Sequence, residues 1–190
     1  MWERTILGTD IYHLMACFHI YSMLGWLVES IYMSICERKL VNRGFAKGPF
    51  CPIYGFGAVI GNMVLSPLAG NYVILYLVGA VLATTFEFLV AMLMTKLLGS
   101  FWWDYNEKPF NYKGMICLES TVAWGFYAII VVGFLNKAII SFVDRFDRQI
   151  GVYAVIVILV AYSFDFVVAF ARAKGVTKDD IKQIVIRRRA

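Results

Sequence analysis

Four acidic residues of this 190-residue chain fall inside or at the edge of long apolar runs: Glu29, Glu87, Glu119 and Asp165. A charged side chain in hydrocarbon costs about 3 kcal/mol or more unless it is paired, hydrated or neutralised. Carboxylates placed there can bind a cation, carry a proton, or hold helices together through hydrogen bonds. Two polar connectors supply possible companions. The stretch "VNRGFAKGPFCPIYGFG", beginning at Val41, brings Asn42, Arg43, Lys47, Cys51 and Tyr54. The stretch "FWWDYNEKPFNYKG" brings Trp102, Trp103, Asp104, Tyr105 and Asn111.

Two readings fit these residues. In the first, Glu29, Asn42, Arg43, Cys51, Tyr54, Glu87, Trp103, Asp104, Asn111, Glu119 and Asp165 line one polar pocket for a cation or small polar solute. In the second, Glu29 and Glu87 pair with Arg43, Lys47 or interhelical hydroxyls and simply join helices. Asp104, set between Trp103 and Tyr105, could orient a ligand cation against aromatic rings. The same aromatic cluster also suits a belt at the headgroup level.

Other chemistry has less support. Cys51 would be a nucleophile only with a base or cation to lower its pKa, and packing is the commoner use. His13 and His19 are six apart, which is not the spacing of a helical metal pair. The four cysteines, Cys17, Cys36, Cys51 and Cys117, form no CxxC pair, so neither a zinc site nor a disulfide framework is expected. No catalytic residue, metal or cofactor is assigned.

The elements that must position these side chains follow from composition. The chain is 61% hydrophobic and 16% charged, where a soluble domain is nearer half apolar and a quarter charged. The expected fold is all-α: a polytopic membrane protein of about five transmembrane helices. The candidate spans run from about 11 to 36, 52 to 69, 72 to 98, 115 to 135 and 150 to 171. The second is the weakest, diluted by Pro67 and several glycines. Residues 1–171 read as one helix-bundle domain and 172–190 as a basic cytoplasmic amphipathic tail. The start "MWERTIL" has no basic leader, so the first run is expected to be a retained helix.

Lysine and arginine set the orientation. Of 18 such residues, only Arg4, Lys137, Arg145 and Arg148 fall on one side. The rich side should be cytoplasmic, which puts the N-terminus out and the C-terminus in. With 1.5 Å of rise per residue, all four acids then fall in the inner halves of their spans. The segment "NKAIISFVDRFDRQIG" has helical amphipathic spacing and should lie along the outer interface. "TKDDIKQIVIRRRA" fits a surface helix near anionic lipid or a frayed basic tail. Net charge is +5, and in a membrane protein this reflects basic cytoplasmic loops rather than a nucleic-acid face.

The connector from Val41 is unusual in its own right. Gly44, Gly48, Gly55 and Gly57 allow close backbone approach, and Pro52 suits the first turn of a helix. It reads either as a tight turn or as a re-entrant lip, and non-helical backbone at membrane depth persists only against protein or a wet cavity.

The segments "GWLVE" (Gly25 to Glu29), "VNRGFAKGPFCPIYGFG", Glu87, "WWDY" with "FN" after it, and "GMICLES" together resemble the putative ABC-transporter type IV (CmpB-like) family of integral membrane proteins. The resemblance covers roughly residues 25–124. It implies a small multi-pass bacterial protein of the plasma membrane, of the predicted-permease kind. It marks Glu29, Asn42, Arg43, Gly44, Pro49, Cys51, Pro52, Tyr54, Glu87, Trp103, Asp104, Asn111 and Cys117 as signature positions, without roles. The chain has no G-x-x-x-x-G-K-[ST] loop, so an ATPase would have to be a separate chain. The expected function is a transport component with a cytoplasm-facing acidic pocket. The alternatives are a membrane enzyme acting on an inner-leaflet lipid or phosphate-bearing substrate, and a non-catalytic assembly partner. The lipid bilayer is the expected partner, along with a homodimer mate or other membrane subunits; no nucleic acid is expected.

Overall fold

The computed structural model describes residues 2, 4–6 and 8–175. The stretch from Thr177 read above as a tail helix lies outside the described residues. Among the described residues there are five helices: α1 (Ile11–Glu37), α2 (Pro52–Leu68), α3 (Tyr72–Leu98), α4 (Leu118–Val143) and α5 (Arg148–Ala173). All but α2 are long and apolar enough to cross a bilayer. A two-residue ladder, Thr5–Ile6 against Thr9–Asp10, precedes them.

Local chemistry starts and stops each helix. Asp10 caps α1 by accepting from the His13 amide, Asn71 caps α3, and Asp147 caps α5. Each supplies an acceptor to amides that have no partner within the helix. Cys117 caps α4, with Ser120 reaching back to close a capping box. Gly99 ends α3 with φ of 80°, a left-handed conformation that costs glycine nothing.

The segment expected along the outer interface is not a separate helix. Asn136–Val143 completes α4, and the chain turns at Asp147 to begin α5. Ile139 and Val143 are the reason, since both are buried in the core rather than presented to an interface. Before them, α4 widens into π-helical turns over Ile129–Leu135.

The fold is built from two tight helix pairs, α1 with α2 and α3 with α4. Small residues make the approaches possible. A Cβ on Gly55 would meet the Ser22 hydroxyl and the Phe18 carbonyl, and one on Gly79 would meet Ala128. α2 runs back along α1: the Cys51 amide donates to the Ser22 carbonyl at 3.0 Å, and further on Asn62 lines the same small hollow as Tyr21 and Cys17. Ser22 lies about 22 Å from the end of α1, at 1.5 Å per residue. The connector therefore descends to mid-bundle before α2 begins, which explains why α2 is short.

At the opposite end, Asp10 joins three elements. It accepts from the His13 amide at 3.0 Å and ring at 2.9 Å, and pairs with Arg148 at 3.3 Å. Burial raises the Asp10 pKa, but the His13 hydrogen bonds and the His13 and Arg148 charges outweigh it, leaving a value below the ordinary one. The stabilisation is then fully present above about pH 4 and fades as pH falls through the lowered value. Unfolding midpoints in SDS should accordingly drop between pH 6 and pH 3, and by less in Asp10→Asn.

Candidate functional site

A stripe on α1 receives the first connector. Ser22, Trp26, Ser30 and Ser34 recur every four residues, so they share one helix face. Each meets the descending chain. The Ser34 hydroxyl accepts from the Val41 amide at 2.9 Å, and Ser30 accepts from the Arg43 amide at 3.2 Å. The Trp26 indole donates to Asn42 at 2.7 Å, and the Ser22 carbonyl takes the Cys51 amide. Asn42 also accepts from the Gly44 amide and donates to the Lys47 carbonyl, which folds the connector on itself. From the other side, Asp165 on α5 accepts from the Gly48 amide at 2.7 Å. Irregular backbone at membrane depth requires such partners, because no water is there to replace them.

Glu29, beside this stripe, is paired. The Arg43 guanidinium donates to one of its oxygens twice, at 3.1 Å and 2.9 Å. The Cys51 thiol stands 4.0 Å from the other oxygen, and Tyr54 lies next to both.

Glu87 on α3 is held differently. Its side chain is buried, with the residue 4% exposed. Three neutral donors reach it: the Tyr105 hydroxyl at 3.1 Å, the Ser120 hydroxyl at 3.3 Å and the Trp124 indole at 3.0 Å. Among the described residues no cation lies within salt-bridge distance of Glu87. Burial, and then the Glu87 charge, hold the Tyr105 hydroxyl above its ordinary pKa, so it remains a donor.

The remaining acids do not join this pair. Glu119, one residue before Ser120, points outward to Lys108 at 2.9 Å and is well exposed. Asp165 is engaged with Gly48, on the α5 side of the connector. In the second connector Asp104 accepts from the Asn106 amide and side chain, and Asn111 bonds the carbonyls of Asn106 and Lys108. Trp103 donates to the Met115 carbonyl. These three shape the connector, and their neighbour Tyr105 makes the contact with Glu87. The two connectors meet where Phe45 packs on Trp102, with ring centres 4.9 Å apart.

The residues around Glu87 that the candidate set omits are Tyr105, Ser120 and Trp124. Ser120 and Trp124 are four apart, hence on one face of α4, and that spacing was a usable signal.

Beside Glu87 lies a cavity of about 580 Å³ between α1, α2, α3 and α4. Its walls are apolar, with Leu24, Leu82, Ala83 and Val132 among them, and the π-helical part of α4 forms one side. Glu87, Tyr54, Trp124 and Tyr127 make its polar end. Val28, Ile60, Leu89 and Ile130 at its rim are exposed, so it opens sideways. The size is that of pockets that take small molecules.

A family model described as "Putative ABC-transporter type IV" matches residues 16–170. No curated protein and no solved structure matches the chain.

Proposed function

Since the chain belongs to the putative ABC-transporter type IV family, we propose that it is the membrane-embedded component of a transport system, energised by an ATPase on a separate chain. Its recognition group is Glu87, which takes the cationic group of the transported solute. The basic connectors face the cytoplasm by the charge rule, so the Glu29–Arg43 pair and Tyr105 stand between Glu87 and that side.

One observation carries the reading: Glu87 is buried in a spanning helix with three neutral donors and no cation beside it among the described residues. A carboxylate there is costly to keep charged unless something positive arrives. Glu29 has its guanidinium already, so it acts as the fixed counterpart. A purely structural carboxylate would be expected to have the same arrangement as Glu29.

The test is exchange. Protein in liposomes should exchange radiolabelled organic amines across the bilayer, and Glu87→Gln should abolish this while eluting as a folded species. Wild-type exchange by Glu87→Gln, or no exchange of any amine by the wild type, would count against the proposal.

A further inference from the structure

The cavity beside Glu87 has an uncommon distribution of chemistry. One end holds a buried carboxylate, two tyrosines and a tryptophan; beyond it the lining is apolar but for Tyr21 and Thr85. From Glu87 to Gly79, both on its lining, the cleft follows α3 for about 12 Å. It opens between Val28, Ile60, Leu89 and Ile130, on the side where lipid chains would stand. A small hydrated amine would leave most of this space empty. An amphiphile would fill it and could enter from the bilayer without crossing the two connectors.

We infer that the site takes a single-chain cationic amphiphile, a long-chain amine, which enters laterally, lays its chain in the cleft and sets its ammonium on Glu87. The inference rests on the reading of Glu87 as the recognition carboxylate and adds the class of solute and its route. Charge complementarity selects the head. Oε1 accepts one hydrogen bond and Oε2 two, which leaves acceptor capacity for an ammonium. The chain decides the route more than the affinity, because lipid tails are as apolar as the cleft wall. For an amine already in the bilayer, affinity therefore comes from the charge-assisted bond at Glu87; a short amine that stays in water makes the same bond but lacks the lateral route to it.

Gly61 offers a clean way to block the cleft. It lines the cavity, and a Cβ built on it meets nothing within 4 Å. Gly61→Leu should fold as wild type and fill the space. The experiment is saturable binding of radiolabelled dodecylamine to the full chain in phosphatidylcholine nanodiscs, with empty nanodiscs as background. The wild type should bind, and Gly61→Leu and Glu87→Gln should each weaken binding at least about tenfold. Excess butylamine and excess dodecanol should displace little.

Each contrary result is separable. Absence of saturable binding, wild-type binding by Gly61→Leu, or displacement by butylamine overturns the amphiphile while leaving Glu87 a candidate for small amines. Displacement by dodecanol as effective as by unlabelled dodecylamine overturns the charge argument and makes the cleft a bulk-lipid crevice. Wild-type binding by Glu87→Gln removes the carboxylate from recognition, and the exchange assay then decides the transport reading by itself.

Discussion

Arg43→Ala is expected to lower stability by about 3 kcal/mol, and adding Glu29→Gln is expected to restore most of the loss. The pair is mostly buried, with side chains 21% and 24% exposed. Removing the guanidinium leaves Glu29 charged at membrane depth with only a distant thiol and nearby tyrosine for company. Removing the charge as well eliminates the main penalty, so the two changes should be strongly non-additive. The loss also has a geometric side. The Arg43 side chain ties the connector to Glu29, while its amide keeps the bond to Ser30, and Cys51 follows at the connector's end. Unfolding in SDS measures the first effect. Alkylation of Cys51 in a Cys36→Ser background, faster after Arg43→Ala, reports the second. Additive midpoints would show that the ion pair does not hold the connector.

Gly55→Leu should be at least as damaging, at about 3 kcal/mol or beyond the usual range for overpacking. A Cβ at Gly55 would stand 2.6 Å from the Phe18 carbonyl oxygen and 2.7 Å from the Phe18 ring, besides meeting the Ser22 hydroxyl. The carbonyl belongs to helical backbone and cannot rotate away, so α1 and α2 must part. That separation would also pull the Cys51 amide from the Ser22 carbonyl, leaving the amide without a partner in an apolar surrounding. Gly61→Leu, on the same helix, meets open space and serves as the comparison. The SDS midpoint should fall sharply for the first and stay within about 0.5 kcal/mol of wild type for the second. Equal midpoints would mean that the α1–α2 contact is looser than its geometry requires.

Much of the architecture was legible in residue order. The apolar runs marked the long helices to within a few residues, the C-terminal end of the fourth excepted, and the glycines and prolines of the first connector left a tight turn and an inward lip both open. Boundaries were less legible where capping chemistry competes with hydrophobicity. The fourth run was expected from about residue 115 and begins at Leu118, because Cys117 and Ser120 form the cap. It continues to Val143 because Ile139 and Val143 pack into the core, a fact that amphipathic spacing alone could not distinguish from a helix lying on the interface.

The site shows the same division more sharply. The sequence by itself determined that carboxylates enter the apolar region, at roughly what depth, and near which two connectors, since a rise of 1.5 Å per residue converts position into depth. It could not determine azimuth. Glu119 and Ser120 are one residue apart, but each step turns the helix by about 100°, so Glu119 meets Lys108 at the surface while Ser120 meets Glu87 inside. In the same way Asp104 closes on its own turn and Tyr105 reaches across to α3. Which acid is paired, which is solvated and which faces a cavity was decided by how the helix pairs rotate against each other. That rotation depends on close contacts such as Gly55 on Ser22 and Gly79 on Ala128, whose partners lie far apart in the chain and carry no mark of each other in its order.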